Sequence, residues 1–148
     1  MGEATPHPHI SSRIKRLYLL MTRCVDDALK PCGLARGQWQ VLAHVHEAVT
    51  LSQRHLQEAM KIESATLTVI VDLVVAKGWL ERLPDPGDKR VRLLRFTVDG
   101  EARWHDVPDP LARVEKHMLA GLDPAERSMV ADAVERMIAG LETERMAV

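Results

Sequence analysis

One stretch limits what this chain can become: SQRHLQEAMKIESATLTVIVDLVVAKGWLERLPDPGDKRVRLLRFT, from Ser52 to Thr97. Leu56, Ala59 and Met60 give its beginning an apolar helical face. Ser52 is placed to cap that helix, because a serine hydroxyl accepts from the orphan N–H groups of a first turn. Ser64 is placed to cap a second helix, in which Leu67, Ile70, Val71 and Val74 recur at helical spacing. Gly78 follows, and glycine adopts the left-handed conformation that ends helices at least cost. Trp79 to Leu83 and Val91 to Phe96 then read as strands joined by the turn Asp85-Pro86-Gly87-Asp88. The run Thr66–Val75 is rich in β-branched residues and by itself would suit a strand. Its length, its serine and its closing glycine favour a helix. Helix, turn, helix and basic hairpin together make a winged helix-turn-helix.

The flanks are helical in pattern. Residues 1–9 form a polar tail with Pro6 and Pro8, expected to be disordered. Ser11 or Ser12 is placed to cap a long helix whose Ile10, Ile14, Leu17, Met21, Cys24 and Ala28 alternate at spacings of four and three. That is a coiled-coil-like seam, stopped by Pro31 and Gly33. A helix over 35–49 should turn Trp39, Leu42, Val45 and Val49 inward, and it starts at Ala35, which has no side-chain acceptor for a cap. Thr97 is placed to cap a helix with Asp99 and Glu101 in its first turn. Pro108 and Pro110 should break that helix near Asp106–Asp109, with helix resuming over Ala112–Ala120. Asp123-Pro124-Ala125-Glu126 carries an acidic cap, a first-position proline and a returning glutamate. The helix it opens bears Val130, Ala133, Val134, Met137, Ile138 and Leu141, a stripe that needs a partner; a second subunit is the favoured one. The fold expected is mainly α with a small β-wing, in a single domain over 1–148.

Charge is divided along the chain. Net charge is −1, which alone argues against strong nucleic-acid binding. Residues 1–98, however, hold 14 Lys/Arg against 10 Asp/Glu, and residues 99–148 hold 6 against 11. The positive half is the half that contains the proposed reading head. No uncharged apolar run approaches about 18 residues, so no membrane span is expected. The N-terminus lacks a signal-like apolar core, and two cysteines without an export signal suggest reduced thiols in a cytoplasm. There is no phosphate-cradling glycine motif, nucleophile elbow or His-rich metal motif, so no enzyme, cofactor or metal is expected.

The order Gln38-Trp39-x-Val41-Leu42, Leu56-x-Glu58-Ala59, Ser64-x-Thr66-Leu67-Thr68, Asp72, Lys77-Gly78-Trp79-Leu80-x-Arg82, Asp85-Pro86-x-Asp88-Lys89-Arg90 and Phe96-Thr97-x-x-Gly100 resembles the MarR family of bacterial transcriptional regulators, in the branch around SlyA. The match covers about residues 34–104. The resemblance implies a winged-helix head over 34–97, flanked by dimerisation helices over 10–31 and 98–146. It implies a homodimer on a double-stranded, pseudo-palindromic operator, released by a small aromatic or phenolic acid. It further implies that an arginine in the place of Arg90 enters the minor groove and that the acid at Asp88 orients it.

On a helical wheel, Ala65, Thr68, Val69, Asp72 and Ala76 point away from the core, with Thr66 and Leu73 at the flanks. This face has no Arg, Lys, Asn or Gln, and related proteins often carry basic residues at the places of Val69 and Leu73. Thr66 and Thr68 can hydrogen-bond a base or phosphate, while Val69 or Ala65 can meet a thymine methyl. The DNA-binding set is therefore Ser64, Ala65, Thr66, Thr68 and Val69, with Arg54 and Lys61 (and His55) toward phosphate and Asp88, Lys89, Arg90 and Arg92 on the wing. For the effector, Arg13, Lys15, Arg16 and Tyr18 on the first helix, Trp39, His44 and His46 on the second, and Trp104 and His105 after the wing combine cations with aromatics, Arg16, Tyr18, Trp39, His44 and Trp104 foremost. Cys24 is expected on the buried seam and Cys32 in a loop. The competing reading is a winged helix that has lost base recognition and works through protein contacts, for which the apolar Val69 and Leu73 speak.

Overall fold

The structure, a computed structural model, describes residues 9–147. The tail expected over residues 1–9 lies outside them, except for His9. In chain order the elements are α1 (Ile10–Leu29), α2 (Arg36–Ala48), β1 (Thr50–Ser52), α3 (Gln53–Met60), α4 (Ser64–Ala76), β2 (Leu80–Pro84), β3 (Arg92–Phe96), α5 (Val98–Trp104), α6 (Pro110–Met118) and α7 (Pro124–Met146). The chain divides into two compact units between Pro110 and Leu111.

The first unit is built around α2 and α4. Val41, Leu42 and Val45 of α2 and Leu67, Val71 and Val74 of α4 are completely buried, together with Leu29, Leu56 and Leu94. Their spacing of three and four residues is what lays each helix on the other. The sheet is antiparallel in the order β1-β3-β2. Leu94 of β3 sits opposite both Leu51 and Arg82, and Glu81 sits opposite Arg95. Strand β1 was not expected from the sequence. Three residues are too few for an alternation to register, and Ser52 ends the strand while also capping α3, its hydroxyl accepting from the His55 N–H at 3.2 Å.

Several helix starts differ from the sequence reading. His9, not Ser11 or Ser12, precedes α1, and its carbonyl accepts from Ser12 and Arg13. Glu63, not Ser64, occupies the cap position of α4, in extended conformation and without a side-chain cap bond. Ser64 has already entered the helix, where its carbonyl accepts from the Thr68 hydroxyl at 2.9 Å. At α2, Ala35 offers no acceptor, but the reverse half of a capping box forms: the Gln38 side chain accepts from the Ala35 N–H at 3.3 Å. Asp123 and Glu126 form the full reciprocal pair that opens α7, at 2.9 Å each way. The proline break falls where expected, α5 ending at Trp104 and α6 opening at Pro110.

Inward faces also need correction. Val49 is 72% exposed and takes a positive φ of 67° at the end of α2, so it does not face the core. Ala59 is exposed, leaving Leu56 as the buried residue of α3. The α1 seam is buried only at Ala28. Val25 and Leu29 join it, whereas Ile10, Ile14, Leu17 and Cys24 are exposed, because only the last turns of α1 pack on the core of their own unit.

The junction that closes the head is set by Thr97. Its hydroxyl donates to the Gly78 carbonyl at 2.6 Å and accepts from the Gly100 N–H at 2.8 Å, while Gly78 itself turns the chain at φ 77°. Gly100 is buried with its Cα against the Trp79 carbonyl, and a β-carbon there would overlap that backbone group. Gly100→Ala is expected to destabilise the protein by about 2–3 kcal/mol, since backbone atoms on both sides would have to move. Chemical denaturation of the variant beside the parent measures the difference.

Candidate nucleic-acid interface

The second helix of the head, α4, buries Leu67, Val71 and Val74 and turns the opposite face to solvent. Ala65, Val69, Asp72 and Ala76 lie along that face, Val69 being 60% and the flanking Leu73 44% exposed. Of its two polar side chains, neither is left free. The Thr68 hydroxyl donates to the Ser64 carbonyl and accepts from the Gln53 side-chain amide at 3.0 Å. The Asp72 carboxylate accepts from the Arg82 guanidinium on β2. Ser64 and Thr66 are exposed on the first turn.

The wing is the β2–β3 hairpin. Its tip is held by two side chains that mimic backbone turns: the Asp85 carboxylate accepts from the Gly87 N–H at 2.7 Å, and the Asp88 carboxylate accepts from the Arg90 N–H at 3.0 Å. Asp88 thus orients the Arg90 backbone; among the described residues no ion pair joins their side chains. Lys89, Arg90 and Arg92 are exposed, and among the described residues none of them has an ion-pair partner. Arg95, by contrast, is bound to the Glu81 carboxylate across the strands, with Nε at 3.1 Å.

Of the cations expected at phosphates, Lys61 is exposed and takes the left-handed conformation that ends α3, at φ 52°. A lysine at that position gives no sequence signal of a helix end, unlike Gly78. Arg54 pairs with Glu58 one turn on at 3.3 Å, and the His55 ring nitrogen lies 2.8 Å from the Ser52 hydroxyl.

The effector candidates are scattered. Tyr18 is 61% exposed on α1, and Arg16 is exposed beside it. Trp39 and His44 are half-buried on α2. Trp104 packs at tilted angles against His46 and Phe96, the ring centres of the three lying 5.7–5.9 Å apart. Next to these rings is an open cleft of about 750 Å³ between α2, β3 and α5, lined among others by His46, Val49, Arg95, Phe96, Glu101 and His105. Of the candidates, His46 and His105 line it, whereas Arg16, Tyr18, Trp39, His44 and Trp104 do not. Sequence reading did not bring the whole cleft together because its residues come from three separated segments. Among the described residues, no group of three His, Cys, Asp or Glu side chains is arranged for a metal ion, and no helix is long and apolar enough to cross a membrane. Cys24 is exposed, not buried, and Cys32 is half-buried; both are free thiols.

A helix-turn-helix followed by a β-hairpin on a three-stranded sheet is the winged-helix architecture. A MarR-family sequence profile matches residues 33–91. YdgJ of Bacillus subtilis strain 168, an HTH-type transcriptional regulator, is 30% identical over 130 residues, 86% of this chain and 79% of YdgJ. The chain belongs to the MarR family. The multiple antibiotic resistance protein MarR of Escherichia coli K12 is 34% identical over 80 residues, a match that spans 54% of this chain and only 56% of MarR. In three dimensions, a mutant MarR from E. coli complexed with operator DNA superposes with a TM-score of 0.77 at 23% identity, covering 86% of this chain and 92% of that one. Bordetella bronchiseptica BpsR, whose DNA binding is regulated by 6-hydroxynicotinic acid, superposes with a TM-score of 0.75 at 22% identity, covering 92% and 97%.

The Asp72–Arg82 pair is half in solvent, with side-chain exposures of 59% and 30%, so its role is to orient more than to stabilise. Asp72→Ala is expected to lower the unfolding free energy by no more than about 1 kcal/mol, as read by urea titration. A loss several times larger would make the pair a structural strut.

Proposed function

We propose that the protein is a homodimeric, DNA-binding transcriptional repressor, released from its operator by a small aromatic or phenolic acid. The observation that carries this reading is the adjacency, in one unit, of an outward-turned α4 and a hairpin whose Lys89, Arg90 and Arg92 are exposed and without an ion-pair partner among the described residues. A protruding helix of this kind fits the major groove. An unpaired arginine on a hairpin tip suits the narrow, negative minor groove beside it. The MarR–operator complex supports the reading, since the head that it shares with this chain is the part built around α4.

Each unit also leaves an apolar stripe exposed: Ile10, Ile14 and Leu17 on α1, and Val130, Val134, Met137, Ile138 and Leu141 on α7. Such stripes favour burial against a second copy. A two-fold dimer then requires a pseudo-palindrome with half-sites about one helical turn apart. For the effector, the cleft beside His46, Phe96 and Trp104 combines ring faces with His105 and with an Arg95 that Glu81 already holds in place, a chemistry suited to an aromatic ligand with a polar group. Val49 on its rim holds a positive φ that costs a β-branched residue about 1–3 kcal/mol, and such strain clusters at ligand sites. The BpsR precedent supports an effector of this class. The place of action is the cytoplasm, where the operator is.

The exposed Val69 and Leu73 favour a second reading, a protein-interaction module. A fluorescence-anisotropy titration on the DNA beside the protein's own gene, at two salt concentrations, separates the two. The repressor binds this DNA tighter than random DNA and weakens steeply with salt, because phosphate contacts release counterions. Arg90→Ala is expected to weaken that binding roughly tenfold or more with an unchanged melting temperature. Salt-insensitive binding no better than random would move the assignment to the interaction module.

A further inference from the structure

The reading face of α4 is nearly devoid of hydrogen-bonding capacity. Its centre is occupied by Ala65, Val69, Asp72 and Ala76. Asp72 is neutralised by Arg82, and Thr68 at the flank has its hydroxyl committed to Ser64 and Gln53. Gln53, the long amide nearest this face, is committed in the same contact. Direct base readout normally uses bidentate pairs: arginine or lysine on guanine, asparagine or glutamine on adenine. None of those side chains stands on α4 between Ser64 and Ala76. The large apolar residue most exposed on this helix is Val69, at 60%. Its neighbour one turn toward the N-terminus is Ala65, small enough to let the helix approach closely. Recognition helices present their N-terminal half to the base edges, which is where Ala65 and Val69 are.

Only one feature of the major groove answers a methyl group with more than shape, the C5-methyl of thymine. Resting on the repressor reading above, we propose that α4 selects its half-site through thymine methyl groups and that Val69 is the specificity-determining residue. Guanine and cytosine edges, which present only hydrogen-bonding groups, would face an apolar surface and lose their water without replacement. Adenine–thymine pairs present as many such groups, but they alone gain the methyl contact. Polar recognition is left to the first turn, with Ser64 and Thr66, and to the wing.

The test separates the methyl from everything else in the base. Binding sites are selected from a random-sequence duplex library with the full-length protein, and the consensus is resynthesised with deoxyuridine in place of each half-site thymine. Uracil keeps every hydrogen-bonding group of thymine and lacks only the methyl. One buried methyl is worth about fourfold in affinity, so removing a symmetric pair should weaken binding roughly tenfold or more at the position facing Val69. Val69→Ala sits at an exposed helix position and leaves the core untouched; this variant should bind the thymine duplex more weakly and respond little to uracil. Val69→Thr, which keeps the shape and replaces one methyl with a hydroxyl, should show an intermediate response. Equal affinity of the parent protein for thymine and uracil duplexes overturns the inference and leaves the repressor reading intact. Guanine-rich half-sites under α4 overturn it in the same way. Failure to enrich any sequence overturns both.

Discussion

The head depends on the hydroxyl of Thr97. It ties the carbonyl of Gly78, where α4 ends, to the N–H of Gly100, where α5 begins. Around this bond the chain is drawn so tightly that Gly100 tolerates no β-carbon beside Trp79. Arg103 reinforces the same point from α5, donating to the Lys77 carbonyl at 3.0 Å and lying 4.1 Å over the Trp79 ring. The last turn of α4 leaves carbonyls that need donors, and the Arg103 guanidinium supplies one. The orientation of α4 is thereby fixed from its C-terminal end, leaving the N-terminal end free to meet a partner.

A second tie acts on the side. Arg82 on β2 reaches Asp72 in the middle of α4, a half-exposed pair that orients the wing against the helix. Glu81, the preceding residue on β2, holds Arg95 across the hairpin. The hairpin therefore uses adjacent residues for two different joints, one within the sheet and one to the helix, while the cations nearer its tip stay without an ion pair among the described residues. Structural and available charges are segregated along the strand.

The sequence carried the reading head well, because its signals are local. Gly78 needed a positive φ, Thr97 and Ser52 had backbone N–H groups within reach, and Leu67, Val71 and Val74 repeat at the period of a helix. Signals failed where the partner was distant or the motif too short. Strand β1 is three residues long and shows itself only by pairing with β3. Ser64 looked like a cap, but the turn through Lys61 placed Glu63 at the boundary instead. The α1 seam was read from spacing alone, and spacing cannot tell which turns have a core to pack on; Cys24 was misplaced for that reason. For the residues assigned to the interface, their commitments were not legible: nothing in the order of residues reveals that Thr68 is bound by Gln53 or Asp72 by Arg82. His46 and His105 stood out as single candidates, but the ring cleft as a whole did not, since His46, Phe96 and Glu101 are contributed by α2, β3 and α5.

The β-branched character of α4 has a thermodynamic consequence. Valine in a helix occupies one χ1 rotamer almost exclusively, so Val69 is already fixed before anything touches it. A long polar side chain such as arginine or glutamine would lose up to about 2 kcal/mol of rotamer freedom on being held. On the docking proposed above, this face would lose almost none. Its association should therefore be marked by a negative heat-capacity change and by a smaller ordering cost than a face of long polar side chains would have.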